Sequence, residues 1–164
     1  MNNDNSNEVQ AGKTPCPLLA TPPNTFTAGM GCFWGPDAFF SKLDGVEWCR
    51  VGYSGGTQAY PTYRSIGDHT EVVQVKYDPA LLSFESLLDA FFVEHTGWRG
   101  SRSSKRQYDS GLWYQNTDQL RAIEAKIAQV EAQTGSKVTS RVEPLGDYYN
   151  AEAYHQQFHE KHER

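Results

Sequence analysis

The chain has 164 residues, 13% of them aromatic, with a net charge of −5 and a pI near 5.5. That length allows one domain with its own hydrophobic core, and the acidic balance argues against a nucleic-acid backbone as the main partner. No apolar run approaches the roughly 20 residues of a membrane span, and Met1 to Gly12, Asn-rich and polar, lacks the basic and apolar regions of a secretory signal, so a cytoplasmic home is expected.

Residues 1–24 predict a disordered or extended arm, because prolines at 15, 17, 22 and 23 deny it regular structure; Cys16, between two of them, is expected to be accessible and mobile. The domain proper then covers 25–164. Phe26–Met30 predicts a short buried strand, and Pro36–Leu43 a helix ended by Asp44-Gly45. Val46–Tyr53 alternates as a strand with Cys49 as a core thiol, and Ser54–His69 predicts a long loop of the kind that carries function. Glu71–Tyr77 is a strand, Ser83 to about His95 a helix with Leu87, Leu88, Phe91 and Phe92 as its stripe, and Thr96–Arg106 a second long loop. Gln107–Tyr114 predicts a strand, Asp118–Gln133 an amphipathic helix, Lys137–Glu143 a strand and Ala151–His162 a terminal helix. The first six elements read β-α-β-β-α-β. This is the split βαβ pattern of a ferredoxin-like α+β fold, an antiparallel or mixed sheet with helices packed against it.

The chemistry centres on Gly31-Cys32-Phe33-Trp34-Gly35, where one thiol stands between glycines and beside two large rings at a helix start. Helix dipoles there favour thiolate over thiol. The three cysteines, Cys16, Cys32 and Cys49, contain no Cys-x-x-Cys pair, so they form a poor disulfide framework and a poor zinc site. Glu71, entering a strand from a long loop, can be a buried carboxyl with a raised pKa that delivers a proton near neutral pH. Tyr53, Tyr63 and Tyr108 lie in or beside the long loops, where a phenol can hold a polar oxygen. His69 invites a Cys–His dyad, but no orienting Asn or Asp stands out. His155, His159 and His162 have helical spacing without a fourth ligand, so no metal is expected.

These segments resemble peptide methionine sulfoxide reductase A. The resemblance is carried by Gly31-Cys32-Phe33-Trp34-Gly35, Gly52-Tyr53-Ser54-Gly55-Gly56, Pro61-Thr62-Tyr63, His69-Thr70-Glu71-Val72-Val73, Gln107-Tyr108 and the stretch 148–157. It implies that Cys32 attacks the sulfoxide sulfur, Glu71 protonates the departing oxygen, and Tyr63 and Tyr108 hydrogen-bond that oxygen. Phe33 and Trp34 would line the pocket for the methyl group, with Tyr53 and His69 as further substrate contacts. The S epimer of methionine sulfoxide, free or in proteins, would become methionine and leave Cys32 as a sulfenic acid. No bound cofactor is implied; thioredoxin or a similar thiol would regenerate a monomeric enzyme.

The sequence departs from the family in the segment 101–106, Ser-Arg-Ser-Ser-Lys-Arg, where Gly-Asn-Asp is usual and Ser103 takes the aspartate's place. Trp98 is expected at the pocket rim, and Asp109 stands where arginine is common. The sequence ends at Arg164 without the family's Gly- and Cys-containing tail. Recycling is therefore expected by direct attack of an external thiol, or through Cys16, the more mobile candidate, or Cys49. Two alternatives of other classes are a binding module for methionine sulfoxide or a protein, impaired in turnover, and a thiol redox sensor.

Overall fold

The computed structural model describes residues 15–99 and 106–159. Its strands are β1 (Leu18–Leu19), β2 (Thr25–Met30), β3 (Val46–Ser54), β4 (Thr70–Tyr77), β5 (Ser110–Tyr114), β6 (Arg141–Pro144) and β7 (Tyr148–Asn150), and its helices are α1 (Trp34–Ser41), α2 (Phe84–Glu94) and α3 (Thr117–Thr134). The strands form one sheet in the order β1-β7-β3-β4-β2-β5-β6. The central four, β3-β4-β2-β5, are each antiparallel to their neighbours and have the strand order of the split βαβ arrangement, as expected. β6 then joins β5 in parallel, which makes the sheet mixed.

Local chemistry explains the helices. Ser83 and Asn116 cap α2 and α3 by accepting the N–H groups of Ser86 and Gln119, and Gly135, at φ 71°, ends α3 in a left-handed turn. The core lies between sheet and helices: Phe26 of β2 meets Phe40 of α1 and Phe84 of α2, each at 5.6 Å between ring centroids.

Two expectations are corrected at the chain's ends. The arm is packed down from Pro15 onward: β1 pairs with β7, Asn150 N–H donates to the Pro17 carbonyl at 2.9 Å, and Cys16 N–H donates to the Pro61 carbonyl at 3.1 Å. Cys16 is consequently 2% exposed, neither accessible nor mobile as expected. At the other end, 151–157 forms a 3-10 turn (Ala153–His155) and further turns in place of a continuous helix, after a strand, β7, that had not been expected. His162 lies outside the described residues. The reason is side-chain competition: the Gln156 amide accepts the Val51 N–H and donates to the Val51 carbonyl, both at 2.9 Å, capping β3 as a strand would. Gln157 then turns back at φ 54°.

The aromatic triad under the sheet should dominate stability. Phe26→Ala is expected to cost about 3–5 kcal/mol in urea unfolding, and a loss below about 1 kcal/mol would contradict this packing.

Candidate active site

Gly31, at φ 82°, turns the chain out of β2 and directly into α1, a conformation that suits glycine because a Cβ is disfavoured there. Cys32 follows in that turn, its side chain exposed, and all three described cysteines are free. β4 runs antiparallel beside β2, with Val73 opposite Ala28, so Glu71 near the start of β4 comes level with the turn.

Glu71 is 1% exposed, and both of its carboxyl oxygens are engaged. Oε1 accepts the Phe33 N–H at 3.2 Å, and Oε2 accepts the Gln107 side-chain amide at 2.8 Å. Gln107 also accepts the Glu71 backbone N–H on its carbonyl at 2.9 Å. Burial pushes the Glu71 carboxyl up, and these two donors pull it only partly back. This carboxyl is close enough to Cys32 for its charge to act on the thiol.

The thiol itself differs from expectation. Burial of its surroundings pushes Cys32 up, the Trp34 backbone N–H opposes this, and the charge of Glu71 adds to the rise. The helix start therefore moderates the pKa without making a low-pKa thiolate. A protonated Glu71 removes the last of these contributions.

The phenols divide. Tyr108 is 53% exposed and hydrogen-bonded to Tyr63, an interaction that raises its pKa to about 12. These two hydroxyls stand together beside Cys32 and Glu71. Tyr53, in contrast, is fully buried and donates to Glu152 Oε1 at 2.9 Å, so it braces the core and offers no surface to a ligand. His69 is corrected in the same way: its Nδ1 accepts the Gly56 N–H at 3.1 Å, its Nε2 donates to the Gln58 carbonyl at 2.7 Å, and it is fully buried. It ties the 54–69 loop closed with Asp68, which accepts the N–H groups of Thr57 and Gln58; burial works against its charge, but these bonds and that of the Thr57 hydroxyl hold the carboxyl down at about 2. Both imidazole nitrogens are thus occupied, and a Cys–His dyad is excluded.

Trp34 is half-buried. Its indole N–H donates to His155 Nδ1 at 3.0 Å and its face stacks on Phe158 at 3.7 Å. Phe33 is 1% exposed and packs on Tyr53 and His155, so it supports the site from beneath and has almost no surface of its own to give a methyl group. Trp98 is likewise removed from the rim: at 2% exposure it donates to the Phe92 carbonyl inside the core. Ser103 lies outside the described residues. No group of three metal-binding side chains occurs among the described residues.

Sequence reasoning missed Gln107 and Glu152 as individual residues. Gln107 had been quoted only within a motif. Glu152 accepts the Tyr53 hydroxyl and, at 2.8 Å, the Tyr63 N–H, and Cys16 hydrogen-bonds to it as well. Burial, with that carboxylate beside it, pushes Cys16 up to about 12; burial does the same to Cys49.

An exposed thiol thus stands beside a buried carboxyl and a hydrogen-bonded pair of phenols. The chain belongs to the peptide methionine sulfoxide reductase family, whose model matches residues 24–164. A peptide methionine sulfoxide reductase of Drosophila melanogaster is 40% identical over 135 residues, which make up 82% of this chain and 54% of the fly protein; the chain thus spans about half the length of that relative. Among solved structures, reduced Mxr1 from Saccharomyces cerevisiae is similar with a TM-score of 0.78 and 28% identity, over 88% of this chain and 90% of that one. Mxr1 in complex with Trx2 matches with a TM-score of 0.58 and 25% identity, over 85% and 89%.

The three thiols should react unequally. Under native conditions near neutral pH, iodoacetamide is expected to alkylate Cys32 and to spare Cys16 and Cys49, as read by peptide mass spectrometry; equal labelling of Cys16 would contradict its placement.

Proposed function

We propose that this protein reduces the S epimer of methionine sulfoxide, free or within polypeptides, to methionine. The observation that carries the reading is the buried Glu71 carboxyl hydrogen-bonded to the backbone of the residue next to Cys32. Cys32 attacks the sulfoxide sulfur while Glu71 protonates the oxygen. Tyr63 and Tyr108 donate to that oxygen as it gathers charge. The sulfur–sulfur bond formed by this attack then breaks as the protonated oxygen passes from the methionine sulfur to the Cys32 sulfur, which releases methionine and leaves Cys32 as a sulfenic acid. Methionine sulfur is reduced by two electrons and Cys32 sulfur oxidised by two; the proton lost by the thiol replaces the one Glu71 delivered. Trp34 forms the apolar side of the site.

Recovery uses an external dithiol of the thioredoxin kind. One of its thiols attacks the Cys32 sulfenic acid and releases water, and its second thiol resolves the mixed disulfide and frees Cys32. The burial of Cys16 and the pKa near 12 of both Cys16 and Cys49 favour this route over an internal resolving thiol. The complex of Mxr1 with Trx2 is consistent with it. We read the protein as a cytoplasmic monomer that needs no bound cofactor; no helix among the described residues is long and apolar enough to cross a membrane. The raised pKa of Cys32 counts against the redox-sensor alternative, which needs a reactive thiolate at rest.

With dithiothreitol as reductant, Cys32→Ser is expected to abolish reduction of a methionine-S-sulfoxide substrate, and retained turnover would refute the mechanism. Glu71→Gln should slow the single-turnover step at neutral pH by about 100-fold or more. In the wild type, Glu71 works in its protonated form, so the rate of that step should fall as pH rises through its elevated pKa. An unchanged rate in the variant would remove Glu71 from the role of acid.

A further inference from the structure

Gln107 and Tyr108 are the two central residues of one tight turn. Asp109 N–H donates to the Arg106 carbonyl at 3.2 Å and closes it. From this turn Gln107 grips Glu71 twice and Tyr108 reaches Tyr63. Nothing in a four-residue turn fixes its direction to the fraction of an ångström that proton transfer needs.

Both ends of the turn are tied to the same neighbouring strand. Arg106 Nη2 donates to Glu143 Oε1 at 2.9 Å, and Arg141 Nε donates to Asp109 Oδ2 at 2.7 Å. Arg141 and Glu143 both belong to β6, two residues apart and hence on one face, and pair in register with Gly111 and Trp113 of β5. The two ion pairs have opposite sense, cation to anion at one end of the turn and anion to cation at the other. That arrangement rejects a shifted register, since a slip brings like charges together. The inner pair is well shielded, with the Asp109 side chain 6% and the Arg141 side chain 16% exposed, whereas Arg106 and Glu143 are 22% and 32% exposed. Glu143 is itself steadied by the Trp113 indole N–H at 3.2 Å. The turn also presses on β2: a Cβ on Gly29 would stand 2.8 Å from the Asp109 carbonyl oxygen, three residues before the reactive cysteine.

We infer that the crossed ion pairs to β6, above all Asp109–Arg141, position the Gln107–Tyr108 turn against Glu71 and Tyr63, making Asp109 and Arg141 positioning residues for the reductive step. The inference rests on the function proposed above. It gives Asp109 a physical role, because the opposite charge waits on β6.

The test compares wild type, Arg141→Met, Arg141→Lys and the isosteric Asp109→Asn in single-turnover reduction of a methionine-S-sulfoxide peptide across pH, with thermal unfolding followed alongside. Arg141→Met should lose about tenfold or more in rate. Its high-pH limb should move upward, because a loosened Gln107 no longer helps to hold Glu71 ionised. Arg141→Lys, which keeps the charge, should recover most of the rate. Asp109→Asn should change in the same direction as Arg141→Met and by less, and it serves in its place should that variant not fold. A folded Arg141→Met or Asp109→Asn with wild-type rate and an unmoved limb would overturn the inference. So would a loss of thermal stability with no change in either kinetic readout. A wild-type protein that leaves the sulfoxide unreduced would instead overturn the functional reading.

Discussion

A carboxyl that gives up its water must find donors elsewhere, and Glu71 finds one on each oxygen. The Phe33 amide ties it to the start of α1, and the Gln107 side chain ties it to the turn before β5. These bonds join three segments far apart in the chain: the cysteine turn, the head of β4 and the approach to β5. Burial raises the carboxyl's pKa, and the two donors keep it in place and oppose that rise. Stronger donors or a wetter site would lower it further and favour the carboxylate, whose charge opposes a thiolate beside it.

The remainder of the architecture holds the partners of this carboxyl. Glu152, largely buried, takes the Tyr63 backbone amide and the Tyr53 hydroxyl, so that both tyrosines hang from one carboxylate. His155 accepts the Trp34 indole N–H, and Gln157 gives its backbone N–H and side-chain amide to Asp37 of α1 at 2.7 and 2.8 Å. The segment 151–158 thus works as a brace across α1 and β3. On the opposite side, β6 braces the Gln107–Tyr108 turn. Cys32 sits between two anchored walls, while its own side chain remains open to solvent.

Legibility in the sequence followed the range of the forces. Strands β2 to β5 and helices α1 to α3 show their periodicity within a few residues, and α2 and α3 their caps as well, so the sheet's central order could be anticipated. β1 and β7, with two and three residues, are too short to carry a period, and they exist through long-range pairing, β7 on β3 and β1 on β7. The stretch 151–157 has a helical composition, yet long-range bonds from Gln156 and Gln157 outbid it. Cys32, Glu71, Tyr63 and Tyr108 could be named from motif and loop position, and the structure sets them side by side. Tyr53, His69 and Phe33 belong to the same motifs, but their burial assigns them to support. Cys16 was misjudged because its concealment depends on Glu152 and Pro61, distant residues that no local reading can supply.

In the proposed function Cys32 takes the sulfoxide oxygen and no second thiol of this chain resolves it. Intact-mass analysis after one equivalent of a methionine-S-sulfoxide peptide, without reductant and with the peptide product measured in parallel, tests it directly. Methionine should form in equal amount to a protein heavier by one oxygen, and both should be lost in Cys32→Ser. A protein lighter by two hydrogens, reporting an internal disulfide with Cys16 or Cys49, or an unmodified protein beside untouched peptide, would contradict it.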